Sequence, residues 1–303
     1  MPHEEHEPEP TTPPDSARDV GDLQDKPAPT APPPPIDVCA EGANATLAAC
    51  MLGPFQLRQR GQVVNGWNGH KTQPLLKYLL AHRDRPVPRD ALVELLWPDA
   101  DPDTGRRNLH QAVYSLRRIL RTADPDTQHI TFRNDCYVID DEIDVWCDVD
   151  LFERFATSGR GHNTSGDAPA AIESLTRAAA YYRGDYLADS PYDEWTVLER
   201  ERLRMLFHEA MDTLGDLLVS ADRWDEAIAA SQQLLNHDPL AETAHRRLIT
   251  AYAAKGQRSL AIHQYRLCEQ ALERELGLKP SAETAMQYTH AVQLSPGSTT
   301  KRI

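Results

Sequence analysis

The first part of the chain that carries a clear hydrophobic pattern has short apolar runs rather than long ones. Between residues 47 and 64 these runs are rich in Val, Leu and Phe and are broken at Gly53-Pro54 and Gly61. This pattern predicts two or three short strands joined by tight turns. Leucines at helical spacing follow in 71–82 and 88–97, which predicts two short helices.

A third helix is predicted from Asp101 to about Arg121. Aspartate caps the free amides of a helix start, and Pro102 is tolerated at the first helical position. Residues 129–139 then predict a β-hairpin that turns at Asn134-Asp135. The predicted order is therefore strands, three helices and a hairpin.

The remainder, from about 149 to 292, has helical periodicity, with breaks that include 159–166. A shift of 34 residues, which is the tetratricopeptide period, aligns apolar and small positions of two units. The aligned pairs include Ala210 with Ala244, Leu214 with Leu248, and Ala227 with Ala261. The stretch 170–187 predicts a further amphipathic helix, but it does not fall on the 34-residue register. It is at most an atypical terminal unit of the repeat array.

The predicted third helix separates apolar and cationic side chains. At about 100° per residue, five apolar side chains fall within roughly 80° of Leu109 and form a stripe typical of a core-facing helix. The opposite face carries Arg107, His110, Tyr114, Arg117, Arg118 and Arg121, with Gln111 and Arg106 at its borders.

That cationic face has no carboxylate after Asp103, although solvated helices usually interleave the two signs. The chain has a formal net charge of -14, yet residues 67–121 carry ten Lys or Arg against six acids. A local positive surface is what a polyanion site requires, because phosphate neutralisation depends on nearby charge. An ordinary solvated helix face is the alternative interpretation. An exposed third helix followed by a hairpin with Arg133 is the layout of a winged helix on DNA.

Several segments resemble one family. The strands of 47–64, LLKYLLAHRDRPVPRDALVELLWPD, RRNLHQAVYSLRRIL and the ITF...CYVID hairpin resemble the OmpR-type winged helix of SARP (antibiotic regulatory protein) transcriptional activators. RLRMLFHEAMDTLGDLL, YYRGDYLADSPYDEW and the HRRL...ELGLKP run are similar to the bacterial transcriptional activator domain that follows it in that family. The resemblance covers nearly everything from about 47 to 292.

The resemblance implies a sequence-specific DNA-binding regulator, usually an activator, that binds repeated promoter sites in the major groove and helps RNA polymerase there. By position it assigns to the recognition helix Arg106, Arg107, Asn108, His110, Gln111, Tyr114, Arg117 and Arg118, and to the wing Arg133. Arg121 extends the same cationic face. The family commonly has glycines at the wing tip, where this chain has Asn134-Asp135.

The expected partners are double-stranded DNA, RNA polymerase and a second copy of the chain, with no membrane. We expect DNA docking through Arg107, Gln111, Tyr114 and Arg117. The rival hypothesis is a helical-repeat interaction scaffold whose winged helix does not bind DNA. The unbalanced arginine face favours the first, because a pure scaffold has no reason to keep it.

Residues 1–46 predict a disordered tail. The first 35 residues hold eleven of the 23 prolines, and the tail carries ten acids against two bases, so it cannot bury enough apolar surface to offset chain entropy. It lacks the pattern of a secretory signal, and no apolar run is long enough to span a bilayer, so a cytoplasmic location is expected. The five cysteines lack CxxC spacing and are expected to be reduced, without a disulfide framework or zinc.

No enzymatic activity, cofactor or metal is expected. The segment DADPDTG (99–105) resembles a calcium loop, but its glycine is one place late and its twelfth position is His110. The GxxxxGK[ST], GxSxG and HExxH motifs are absent from the sequence. Trp195 and Trp224 lie among apolar neighbours at helical spacing, which favours packing over ligand stacking.

The predicted fold class is mainly α: an N-terminal winged helix-turn-helix (α+β) followed by an all-α tetratricopeptide-like repeat domain. The predicted organisation is a Pro-rich acidic tail (1–46), a winged-helix DNA-binding domain (47–142), a bacterial transcriptional activator domain (143–294) and a flexible tail (295–303).

Overall fold

The computed structural model describes residues 38–122 and 125–293. The predicted tails over 1–37 and 295–303 lie outside the described residues. The prediction of disorder up to residue 46 is wrong for its last part, because a 3-10 turn at Val38–Ala40 packs on the first two strands. Cys39 and Cys50 form a disulfide with Cα atoms 5.9 Å apart, so the expectation of reduced cysteines is also wrong for this pair. The fold brings these two residues together, and sequence spacing does not reveal it.

The winged-helix half follows the predicted order. Its elements are β1 (Leu47–Cys50), β2 (Gln56–Gln59), β3 (Gln62–Val63), α1 (Thr72–Ala81), β4 (Val87–Pro88), α2 (Arg89–Leu96), α3 (Pro102–Leu120), β5 (Ile130–Arg133) and β6 (Cys136–Ile139). The hairpin β5–β6 is antiparallel, and β4 joins it in a sheet of order β4-β6-β5. This hairpin is the wing.

Two strands, β4 and β7, were not predicted. The strand β7 (Val145–Cys147) pairs in parallel with β1, with Leu47 opposite Val145, and completes a sheet of order β3-β2-β1-β7. Three residues are too few to display a periodicity, so only the pairing with β1 defines this strand.

The C-terminal half is all helical. Its elements are α4 (Asp148–Thr164), α5 (Ala168–Tyr181), α6 (Val197–Ser220), α7 (Trp224–His237), α8 (Glu242–Ala254), α9 (Arg258–Leu276) and α10 (Ala282–Gln293). The pairs α6–α7 and α8–α9 are the two predicted repeats. The six aligned residues named above are buried, whereas a fourth aligned pair, Ile228 with Ile262, is half-buried. The predicted break over 159–166 is wrong in its first part, because α4 continues to Thr164 and buried Gly159 leaves room for Leu175 of α5.

The two halves share one hydrophobic core. A single cluster of buried side chains includes Leu47 of the first sheet, Leu109 of α3, and Phe152 and Phe207 of the helical half. Trp195 packs edge-on against Tyr78 of α1, with ring centroids 5.0 Å apart, which places it at this junction. Trp224 is half-buried at the start of α7. The helical half therefore supports the winged helix directly.

Two buried charged side chains make contacts between the winged-helix half and the helical half. Asp148, at the start of α4, has no exposed surface and accepts hydrogen bonds from the backbone N–H groups of Met51 (2.7 Å) and Leu52 (3.0 Å). Burial raises the pKa of Asp148, and these two amides and Arg183 partly oppose that rise. Lys77 of α1 is 2 % exposed, and its Nζ lies 2.7 Å from Asp189 Oδ2.

Candidate nucleic-acid interface

Polar contacts cap the start of α3 and hold its later turns against the rest of the fold. At its start, Asp101 Oδ1 accepts from the backbone N–H groups of Asp103 (3.2 Å) and Thr104 (3.0 Å), as predicted for a cap. At its end, the buried Gln59 Nε2 donates to Leu120 O at 2.7 Å. Between them, Arg117 donates from Nε and Nη2 to Ile130 O of the wing, at 3.1 and 2.9 Å.

Close packing also positions α3 against α2. Gly105 is buried in the first turns of α3, and a Cβ at this position would overlap Val93 of α2. The glycine costs helix propensity, but here it lets the two helices of the helix-turn-helix approach each other.

The outward face of α3 carries an exposed cationic stripe. His110, Gln111 and Tyr114 are exposed, and 62 % of the Tyr114 surface is accessible. The exposed arginines of the stripe are Arg107, Arg118 and Arg121. Among the described residues, no carboxylate lies within ion-pair distance of these three guanidinium groups. Arg107 donates from Nη2 to Thr104 Oγ1 of its own helix at 2.9 Å.

The predicted residues at the borders of the stripe have other surroundings. Arg106 is half-buried, with Nε 3.7 Å from Asp90 Oδ1 and Nη1 3.9 Å from Asp103 Oδ1. Asn108 is half-buried and lies roughly 60° from the nearest residue of the stripe. Arg117 is half-buried, and two of its donors are occupied by the wing. The structure thus brings together only part of the predicted set.

The wing turn takes the form that strand twist favours. Asn134 and Asp135 have φ of 50° and 58°, as the two central residues of a type I′ turn require. Asparagine and aspartate tolerate this region, so a glycine is not needed here. Arg89, the first residue of α2, holds the tip, because its backbone N–H donates to Asp135 O at 2.8 Å. Arg133 is exposed beside the turn, with Nη2 3.2 Å from Asp140 Oδ2.

A groove of about 510 Å³ lies between α3 and the wing. Its lining residues are His110, Val113, Tyr114, Arg117, Arg118, Arg121, Phe132 and Tyr137. The Phe132 and Tyr137 rings are 4.7 Å apart, and Phe132 keeps 42 % of its surface exposed. Sequence reasoning missed Phe132, because a single aromatic residue in a strand suggests core packing. Cationic donors and an apolar ring therefore line the same groove.

Two of the ten basic residues counted in 67–121 do not contribute to this surface. Lys77 pairs with Asp189, and Arg83 binds both carboxylate oxygens of Asp150. Both acids belong to the helical half. The positive potential at the groove therefore comes from α3 itself, and the regional charge count overstated the number of free cations.

Two family models match successive parts of the chain. Residues 69–139 match the model described as "Transcriptional regulatory protein, C terminal", and residues 147–291 match the "Bacterial transcriptional activator domain". The chain belongs to the SARP family of transcriptional regulators. It is a DNA-binding transcriptional activator of this type, and its mainly helical fold with an N-terminal winged helix is confirmed.

Two relatives that align with this SARP protein over most of their own length are named as regulatory proteins. It is 27 % identical over 263 residues to the transcriptional regulatory protein MoaR1 of Mycobacterium tuberculosis, covering 84 % of this chain and 83 % of MoaR1. It is 25 % identical to the regulatory protein DnrI of Streptomyces peucetius, covering 82 % of this chain and 92 % of DnrI.

A solved structure supports the fold. The complex of Mycobacterium tuberculosis EmbR with a low affinity phosphopeptide superposes on this SARP protein with a TM-score of 0.63 at 25 % identity. The match covers 83 % of this chain but 66 % of the EmbR chain. The chain therefore spans about two thirds of EmbR.

Other kinds of site are not visible in the part of the chain that the structure describes. Within 38–122 and 125–293, no group of three or more His, Cys, Asp or Glu side chains is arranged to hold a metal ion. None of the helices in these ranges has the length and hydropathy that crossing a bilayer requires.

Replacing Arg117 by Ala is expected to loosen the wing without unfolding the protein. The change removes both donors to Ile130 O, so we expect amide protection in β5 and β6 to fall about tenfold in hydrogen exchange. Arg121→Ala is the matched control, because Arg121 is exposed and its backbone N–H, not its side chain, ends α3. Equal protection of the wing in both variants would contradict the positioning role.

Proposed function

We propose that this SARP regulator binds promoter DNA with α3 in the major groove and the wing on the adjacent backbone. The carboxylate-free stripe on the outward face of α3 supports this most directly. An α-helix fits the major groove, and the free guanidinium groups supply the charge that offsets phosphate. The whole-chain charge of -14 does not oppose this, because the stripe lies on one face.

The side chains of the stripe divide into two roles. Arg107 and Gln111, in the first half of α3, have the bidentate donors and acceptors that recognise guanine and adenine edges. Tyr114 and Phe132 offer apolar surface to a thymine methyl group or a sugar. His110, Arg118 and Arg121 line the groove toward the wing, where a phosphate backbone would pass, and Arg133 reaches the same strand from the wing.

Three residues of the predicted set are not assigned direct contact with bases. Arg117 holds the wing against α3, Arg106 is drawn toward Asp90, and Asn108 lies beside the stripe. In this proposal Arg117 and Arg106 orient α3, Asn108 has no direct role, and contact with bases is left to Arg107, Gln111 and Tyr114.

The helical half is proposed to contact RNA polymerase and to form a homodimer, because stacked helical repeats present surfaces suited to proteins. The proposal includes a cytoplasmic location, where the chromosome is accessible. It does not include a catalytic step. The division of the chain at residues 142 and 143 also remains a proposal. The rival scaffold hypothesis makes the opposite prediction for DNA binding.

The test is a binding titration with pooled genomic fragments at two salt concentrations, followed by sequencing of the bound DNA. The double variant Arg118→Ala/Arg121→Ala should bind all fragments more weakly, and the slope of log K against log salt should flatten by about 1.8. Arg266→Ala, an exposed arginine of α9, is the control. Salt-independent binding, or none, by the unaltered protein would support the scaffold hypothesis instead.

A further inference from the structure

The outer face of α6 presents two large apolar side chains to solvent. Leu198 is 85 % exposed and Met205 is 71 % exposed. They are one heptad apart, so they lie within roughly 20° of each other around the helix. The opposite side of α6 packs into the core through Leu203 and Phe207, which are fully buried. Nothing in the core requires Leu198 or Met205 to be apolar.

Two charged side chains of opposite sign lie between them. Glu201 and Arg202 follow Leu198 by three and four residues, so both lie near the same stripe of α6. Their side chains are 54 % and 50 % exposed. The stripe therefore reads apolar, acidic, basic, apolar along the helix.

The intramolecular ion pairs of these two residues do not prevent an exchange of partners. Glu201 pairs with Arg204 at 2.7 Å, and Arg202 pairs with Glu199 at 2.6 Å and with Glu153. Exposed pairs of this kind contribute little to stability, about 0–1 kcal/mol each. A neighbouring helix that offers the same charges can therefore share them at small cost.

We propose that this stripe, Leu198–Met205, is a docking surface for the α6 helix of a second copy in the antiparallel direction. When two copies are related by a two-fold axis between residues 201 and 202, Leu198 meets the partner's Met205 and Glu201 meets the partner's Arg202. Both contacts then occur twice, as an isologous interface requires. The stripe is complementary to itself in both apolar character and charge.

The charge pattern favours a second copy over an unrelated partner. When a second copy of the stripe runs in the opposite direction, each apolar side chain faces an apolar one and each acidic side chain faces a basic one. A partner of different sequence would not require the stripe to match itself in this way. Another exposed apolar residue, Met286 of α10, lacks it, because its neighbour Glu283 pairs with Arg246 of the same chain. A contact over two helical turns is small, so we expect a weak dimer that DNA with two adjacent sites strengthens.

This inference rests on the homodimer of the proposed function, and it is tested without DNA so that the two fail separately. Sedimentation of the full chain over about a hundred-fold concentration range should show a monomer–dimer equilibrium. Leu198→Gln/Met205→Gln should remain monomeric throughout, whereas Met286→Gln should associate like the unaltered protein.

A charge exchange gives the sharper test. Glu201→Arg places two cations opposite two cations in a dimer, and Arg202→Glu places two anions opposite two anions, so each variant alone should be monomeric. Mixed in equal amounts they should form a heterodimer, since every facing pair is then of opposite sign. This recovery also shows that both variants are folded.

Three results would overturn the inference. The first is that the unaltered protein stays monomeric at the highest concentration. The second is that Leu198→Gln/Met205→Gln still forms the dimer, and the third is that the two charge variants do not associate when they are mixed. Loss of transcriptional activation in Leu198→Gln/Met205→Gln without any change in oligomeric state would assign the stripe to another protein, and would also overturn it. None of these results affects the expected DNA binding by α3.

Discussion

Asp148→Ala is expected to lower the free energy of unfolding by about 3–5 kcal/mol, the range seen when one partner of a buried charged network is removed. The carboxylate is fully buried and accepts from the Met51 and Leu52 amides and from Arg183 Nη2 at 3.3 Å. Alanine leaves the two amides and the guanidinium without this acceptor. Because the contact joins the segment that follows β1 to the start of α4, the winged helix and the repeats should be destabilised together.

Urea unfolding followed by tryptophan fluorescence measures this effect. Asp144→Ala is the matched control, since Asp144 is exposed four residues earlier and should change stability by less than about 0.5 kcal/mol. Asp148→Asn should recover part of the loss, because its oxygen still accepts one backbone hydrogen bond. A separate unfolding transition for each half, with only one shifted, would contradict the view that Asp148 couples them.

Arg107→Ala is expected to weaken binding to the preferred operator by about 1–3 kcal/mol and to relax the sequence preference at one base pair. Arg107 is exposed on the first half of α3 and has no carboxylate within ion-pair distance among the described residues. Its guanidinium can therefore make a bidentate contact with guanine without first breaking an ion pair.

Competition binding with the recovered operator and its single-base variants distinguishes this role from phosphate binding. Arg118→Ala should weaken all the DNA sequences by a similar factor, whereas Arg107→Ala should narrow the difference between them. Arg266→Ala again serves as the control. If Arg107→Ala weakened every sequence equally, the residue would be a phosphate contact and the assignment of base recognition to it would be wrong.

Helical geometry explains why most of α3 was predictable and why Arg117 was not. The stripe from Arg107 to Arg121 follows from rotation around one helix, and no tertiary information is needed to see it. Arg117 lies at roughly 80° from Leu109, the border between the two faces. Only the position of Ile130 in the wing, thirteen residues later, turns its donors away from the stripe.

The sequence by itself determined the order of the main elements apart from the short strands β4 and β7, the two-faced α3, the position of the wing turn at Asn134-Asp135 and the tetratricopeptide period. These features depend on periodicity and on local backbone preference, which neighbouring residues carry. The tertiary structure alone decided the pairing of β7 with β1, the disulfide between Cys39 and Cys50, the burial of Asp148 and the neutralisation of Lys77 by Asp189. Each of these features joins residues that are separated along the chain, and β7 is also too short to show a periodicity. The burial of these residues and the identity of their partners are therefore defined only when the core has formed.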